Sequence, residues 1–130
     1  MLSSLPSLLG LAILLGLFHV LLAGALVTRS RGAQWNVGAR DGEPPPVSVT
    51  AGRAQRASAN FLETFPFFAA ALVCAIATSH DGHRAVLGAQ LYFWARVAYL
   101  PIYIFAVPVI RSLVWFVSIA GIVLLVASII

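Results

Sequence analysis

The sequence predicts an all-α fold, an integral membrane bundle of four helices. Of its 130 residues, 61% are hydrophobic and only 9% are charged, whereas an ordinary soluble domain has about 25% charged residues. The mean hydropathy is +0.97. A membrane-spanning helix needs about 20 apolar residues, so four spans take roughly 80 positions and leave about 50 for caps and loops. The composition therefore excludes a water-soluble globule and predicts one membrane domain over residues 1–130.

Four apolar stretches are predicted to cross the bilayer. The first runs from about residue 5 to residue 27 and is expected to be retained, because no Lys or Arg precedes it and it is too long for a signal peptide. The others are predicted at about 53–78, 84–107 and 111–130. A polar segment with three consecutive prolines, about residues 28–52, joins the first two spans as a loop.

The arginines predict the orientation of these spans. The first connection and its flanks carry Arg29, Arg31, Arg40, Arg53 and Arg56, the third carries Arg111, and the second carries only Arg84. Basic residues accumulate on the cytoplasmic side, so both termini are predicted to lie outside. All eight of the positively charged residues counted as Lys or Arg are arginine, and with the Ala and Gly content this suggests a GC-rich bacterial genome. The expected location is the bacterial cytoplasmic (inner) membrane.

Two classes of binding partner are excluded at this level. The net charge is +4, but the arginines are scattered at helix ends and form no basic stripe with interleaved aromatic residues, so no nucleic-acid partner is predicted. Cys74 is the single cysteine, and His80 and His83 have no further ligand nearby in the sequence. We therefore predict no disulfide and no metal site.

Two polar stripes interrupt the apolar helices. On the second span, residues spaced three, four and three apart fall within roughly 80° of one another on a helix: Arg53, Arg56, Asn60 and Glu63. On the third span, residues spaced four, three and four apart fall within roughly 60°: Tyr92, Arg96, Tyr99 and Tyr103. Because an ionisable group in mid-membrane costs about 2.5 to 3.5 kcal/mol, such residues face an interior or an aqueous cavity.

The stripes admit two interpretations. In the structural one, the arginines and tyrosines anchor helix ends at the membrane surface, and Glu63 and Arg96 form a buried pair that fixes helix register. In the functional one, guanidinium, amide and phenol groups bind an anionic, peptide-like ligand that enters from the cytoplasm, because arginine binds carboxylates in a bidentate fork. The convergence of two stripes favours the functional interpretation.

Two segments resemble the MAPEG family, the membrane-associated proteins in eicosanoid and glutathione metabolism. The stretch RAQRASANFLETFPFF at 53–68 resembles the signature of the family's second helix, in which Arg, Asn and Glu precede an aromatic residue and proline. A second match is ARVAYLPIY at 95–103, followed by PVIRS at 108–112. The resemblance extends over about residues 29–115.

The resemblance implies a homotrimer that binds glutathione as co-substrate between neighbouring subunits, near the cytoplasmic side. The residues that would hold the tripeptide are Arg53, Arg56, Asn60, Glu63, Tyr99 and Tyr103, and the stripe adds Arg96. Arg111 resembles the arginine that activates the glutathione thiol, and Ser112 resembles the adjacent hydroxyl. These two are the candidate catalytic residues.

The expected function is that of a membrane-bound glutathione-dependent transferase or peroxidase. Its second substrates would be small lipophilic electrophiles or hydroperoxides that enter from the lipid bilayer. The sequence departs from the family at Thr64 and Trp115, where several members carry tyrosine. Because an indole is not a proton donor of the phenol kind, the alternative is a non-catalytic membrane binding or assembly protein that retains the bundle.

Overall fold

The computed structural model describes residues 4–130, and every regular element in that range is helical. The elements, in chain order, are α1 (Leu5–Arg31), α2 (Ala33–Val37), α3 (Val49–Ala77), α4 (His83–Ile104) and α5 (Pro108–Val126). The predicted all-α class is confirmed. Residues 1–3 of the predicted domain lie outside the described residues.

Local chemistry sets the ends of the long helices. The Ser4 side chain accepts a hydrogen bond from the Ser7 backbone N–H and caps α1, and Ser48 caps α3 by accepting from the Ala51 N–H at 3.2 Å. α1 ends at Arg31 and is capped by Gly32, whose φ of 90° suits a residue without a Cβ. Pro108 opens α5, where its missing N–H has no helical partner to lose.

The segment between α1 and α3 is more ordered than the loop predicted over residues 28–52. α1 continues through Arg31, and in its last turns the hydroxyls of Thr28 and Ser30 donate to the carbonyls of Gly24 and Leu26, at 2.8 and 2.9 Å. The short helix α2 follows, and α3 begins at Val49. The Arg31 Nε donates to the Pro45 carbonyl at 2.9 Å. The loop is thereby fastened to the end of α1.

The four long helices pack as an antiparallel bundle around a central pair, α3 and α4. α1 and α5 lie on opposite sides of this pair and, within residues 4–130, do not pack against each other. α4 and α5 approach most closely at Gly88 and Gly121, where a Cβ on either glycine would lie 2.7 Å from the other's carbonyl oxygen. Glycines at such crossings let two backbones approach closely inside a membrane bundle.

Three helices are long and apolar enough to cross a membrane: α1, α3 and α5. α4 has 22 residues, but it carries Arg84 and Arg96 and falls outside this group. It packs against α1, α3 and α5, so these helices cover much of its surface and it needs less apolar character. Large apolar side chains such as Leu14 on α1 and Phe67 on α3 remain exposed on the outside of the bundle, where they can contact lipid. The chain is a multi-pass membrane protein.

Candidate functional site

A cavity of about 530 Å³ opens between α3, α4 and α5, at the end of the bundle where the loop between α1 and α3 lies. Its lining residues are Arg56, Ala59, Asn60, Glu63, Tyr99, Tyr103, Arg111, Ser112, Trp115 and Phe116. All the predicted site residues except Arg53 and Arg96 are among them. Helical spacing explains this convergence, because residues three and four apart share one face of a helix.

Tyr103 connects the two cationic side chains of the cavity. Its hydroxyl accepts a hydrogen bond from Arg56 Nε at 3.3 Å. The Arg111 guanidinium lies over the same ring, 4.9 Å from its centroid, in a cation–π contact. Neither guanidinium forms an ion pair with a carboxylate anywhere in residues 4–130. The cavity therefore has a positive wall that suits an anionic ligand.

Glu63 supplies the one carboxylate of the cavity lining. Its side chain is exposed, and it makes no hydrogen bond or ion pair with another described residue. It does not form the register pair with Arg96 that the sequence allowed, because Arg96 is held by other partners. Glu63 is thus available to bind a cationic group in a ligand that also carries anionic groups.

Arg96 is fully buried behind the cavity and joins α4 to α3. Its two terminal nitrogens donate to Asn60 Oδ1 and Thr64 Oγ1, each at 2.7 Å. Its guanidinium also lies over the rings of Tyr92 and Tyr99, 5.5 and 5.2 Å from their centroids. The Thr64 hydroxyl lies 3.2 Å from that of Tyr92. Threonine at position 64 therefore belongs to a buried polar network.

Arg53 and Ser112 act on helix ends. Arg53 Nη1 donates to the Ile104 carbonyl at 3.0 Å, in the last turn of α4. A cation at this position satisfies a carbonyl without a helical partner and opposes the negative end of the helix dipole. The Ser112 hydroxyl lines the cavity and donates to the Pro108 carbonyl of its own helix at 3.2 Å. In this rotamer the hydroxyl proton is used in the bond to Pro108, so towards the cavity the Ser112 oxygen can accept a hydrogen bond but not donate one.

An apolar groove that the sequence did not predict continues from the polar cavity. It has a volume of about 700 Å³ and runs between α3 and α5. It is lined by Glu63, Thr64, Phe67, Ala70, Ala71, Cys74, Trp115, Ile119, Ile122, Val123, Val126 and Ile129. Glu63 and Trp115 belong to both spaces. The sequence feature that could have indicated this groove is the group of small side chains at Ala70, Ala71 and Cys74, which leave room beside the bulky residues of α5.

Comparison with models of protein families identifies the family to which the chain is similar. The model of the MAPEG family matches residues 8–130, nearly the whole chain. No curated protein matches the chain as a relative. The matched range includes α3, α4, α5, all but the first three residues of α1, and every residue of both cavities.

Proposed function

This chain belongs to the MAPEG family, and from that premise we propose a membrane-bound glutathione-dependent transferase or peroxidase acting on small lipophilic electrophiles or hydroperoxides. The observation that carries the proposal is the junction of two unlike spaces. A cavity with a cationic wall and an apolar groove meet at Glu63 and Trp115. A charged thiol and a lipophilic partner would each find a suitable space, with their reacting atoms at the junction.

The polar cavity suits glutathione in size and charge. Its volume of about 530 Å³ falls within the roughly 300 to 1,000 Å³ typical of ligand pockets. Glutathione carries two carboxylates, one ammonium and a thiol. Arg56 is the proposed partner of a carboxylate, and Glu63 the proposed partner of the ammonium. Arg53 supports this end of the site through its bond to Ile104.

Arg111 is the proposed activator of the thiol. A free cysteine thiol has a pKa of about 8.5, and a nearby cation favours the more nucleophilic thiolate. In conjugation, the sulfur attacks an electrophilic carbon, a sulfur–carbon bond forms, and the leaving group departs with its bonding electrons. In peroxide reduction, sulfur attacks the terminal oxygen and the O–O bond breaks. A second glutathione then completes the balance, giving glutathione disulfide, an alcohol and water.

The apolar groove is the proposed site of the second substrate. It lies between two helices that face lipid, and exposed side chains such as Phe67 stand at its edge. A lipophilic molecule concentrates in the bilayer because apolar transfer from water is favourable. It would therefore enter sideways from the membrane while glutathione enters from the aqueous side.

The test uses the purified full chain in detergent. A ligand at about 100 times its Kd stabilises a protein by about 2.7 kcal/mol, so glutathione should raise the melting temperature in a concentration-dependent way. Turnover is then measured with an aryl halide and with an organic hydroperoxide. Binding without turnover on either substrate would refute the enzyme proposal, and the absence of binding would refute both.

The second candidate is a non-catalytic membrane binding or assembly protein. It is favoured by one observation, that the Thr64 hydroxyl is held by Arg96 and Tyr92 within the bundle instead of standing free for proton transfer. Saturable glutathione binding without turnover would support this candidate.

We also propose that the protein assembles as a homotrimer in a bacterial inner membrane with both termini outside. Exposed apolar side chains on α1, including Leu17 and Leu21, provide a surface for neighbouring subunits or lipid. Native mass spectrometry would determine the number of subunits. Accessibility of cysteines introduced at the two faces would determine the orientation.

A further inference from the structure

The contact between Arg96 and Asn60 fixes which atom of the amide faces the cavity. An arginine side chain has only donors and no acceptor. The Asn60 atom 2.7 Å from Arg96 Nη1 is therefore the oxygen Oδ1. The Nδ2 group makes no hydrogen bond within residues 4–130 and is not buried without a partner, while Asn60 lines the polar cavity. The amide thus presents a donor to the ligand space.

The same contact places a positive charge directly behind the cavity. Arg96 is fully buried, and no carboxylate of the described chain forms an ion pair with it. Its Nε has no hydrogen-bond partner among these residues. The ring of Tyr99, which lies beside the guanidinium, lines the cavity. A buried charge is less screened than an exposed one, so it adds to the positive potential of the cavity.

We propose that Arg96 is a positioning residue that locks the Asn60 amide with its NH₂ group toward the ligand. The Asn60 position then selects an oxygen acceptor, a carboxylate or a peptide carbonyl of the tripeptide, and disfavours an ammonium group. Asn60 therefore differs in its ligand preference from Glu63, one helical turn away, which is the proposed partner of a cationic group. The inference rests on the proposed function, because glutathione is the ligand whose orientation it determines.

Arg96→Lys and Arg96→Gln form the discriminating pair. Each shortens the side chain and weakens the bond to Thr64, so we expect comparable losses in melting temperature. Lysine is still donor-only and charged, whereas glutamine is neutral and can accept as well as donate, which frees the Asn60 amide to flip. We expect Arg96→Lys to keep the glutathione Kd within about threefold, and Arg96→Gln to weaken binding about tenfold or more.

Thr64→Val is the matched control. It removes the other hydrogen-bond partner of Arg96 but leaves the contact with Asn60. It should lower the melting temperature and leave the Kd of glutathione unchanged. If it weakened binding as much as Arg96→Gln does, the role of Arg96 would be structural and the proposal would be wrong.

Asn60→Asp tests the same point without altering the buried arginine. The carboxylate can pair with Arg96, so the melting temperature should be kept or raised, but the cavity loses its donor and gains a negative oxygen. Glutathione binding, measured by calorimetry on the full chain, should weaken about tenfold or more. Unchanged binding in this variant would overturn the assigned orientation of the amide. Failure of the wild-type protein to bind glutathione would instead overturn the proposed function and, with it, this inference.

Discussion

The Arg111 guanidinium lies 4.9 Å from the centroid of the Tyr103 ring, and the hydroxyl of that ring accepts a hydrogen bond from Arg56. One aromatic side chain therefore orients two cations from two different helices. Because Tyr103 lies in the last turn of α4, the end of that helix sets the geometry of the positive wall. Substitutions at this contact should separate the proposed binding of glutathione from the proposed activation of its thiol.

Arg111→Ala should abolish most turnover while the protein still folds. The cation–π contact at an accessible site is worth about 0.5 to 1 kcal/mol, so the loss in stability should be small. Loss of the cation proposed to activate the thiol should lower kcat about a hundredfold or more, an electrostatic effect of the size seen when one oxyanion-stabilising donor is removed. Arg84→Ala, at the other end of the bundle, is the control. Normal turnover by Arg111→Ala would exclude the assigned role.

Tyr103→Phe should weaken glutathione binding more than it slows turnover. The variant keeps the ring under Arg111 but removes the oxygen that accepts from Arg56. A hydrogen bond to a charged group is worth about 1.5 to 3 kcal/mol, and part of this should appear as a higher Kd. Calorimetry gives the Kd, and kcat at saturating glutathione should remain within about threefold, because Arg111 keeps its support. If glutathione affinity and kcat fell by the same factor, this division of roles would be wrong.

Gly88→Ala should destabilise the bundle. A Cβ at this position would lie 2.7 Å from the Gly121 carbonyl oxygen and 2.8 Å from the Leu125 nitrogen, so the backbones of α4 and α5 would have to separate. Overpacking of this kind costs about 1 to 3 kcal/mol. Thermal unfolding monitored by circular dichroism measures the loss.

Gly24→Ala is the matched control for that substitution. Gly24 also lies inside a helix, but a Cβ there would meet no atom within 4 Å. Alanine is preferred over glycine within helices by about 0.5 to 1 kcal/mol, so this variant should be neutral or more stable. Similar losses in the two variants would show that the α4–α5 crossing tolerates a side chain.

The sequence predicts the polar face of each helix but not the depth of each residue. Arg56, Asn60 and Glu63 line one cavity because spacings of three and four residues bring them to one side of α3. Arg96 shares a stripe with Tyr99 and Tyr103 but lies behind the cavity, since the packing of α4 against α3 covers it. Periodicity carries no information about which neighbour covers a residue.

The pattern of apolar and polar residues also did not predict where the helices end or that an apolar groove is present. α4 ends at Ile104, before the predicted end at residue 107, and Ala106 follows with a φ of 59°. Arg53 reaches the Ile104 carbonyl because of this early end. The groove between α3 and α5 depends on the distance between two uniformly apolar helix surfaces. The residue pattern within a single helix carries no information about that distance.

Ala70→Phe should block the apolar groove without affecting the polar cavity. Ala70 lines the groove, and a phenyl ring there occupies the space proposed for the lipophilic substrate. For hydroperoxides, the increase in KM of the variant over the wild-type protein should grow with the length of the alkyl chain. Longer chains bury more apolar surface in the open groove, about 0.8 kcal/mol per CH₂, and so lose more when the groove is filled. Short hydrophilic peroxides such as hydrogen peroxide should be affected little.

Val73→Phe provides the control, because Val73 is exposed on the same helix but does not line the groove. It adds a similar ring to the surface of α3, and its kinetics should resemble those of the wild-type protein at every chain length. The Kd of glutathione should remain unchanged in both variants, since the polar cavity keeps all its lining residues. If both variants raised KM equally, the effect would come from the added surface and the groove would not be the substrate site. If Ala70→Phe weakened glutathione binding, the two spaces would not act as separate binding sites.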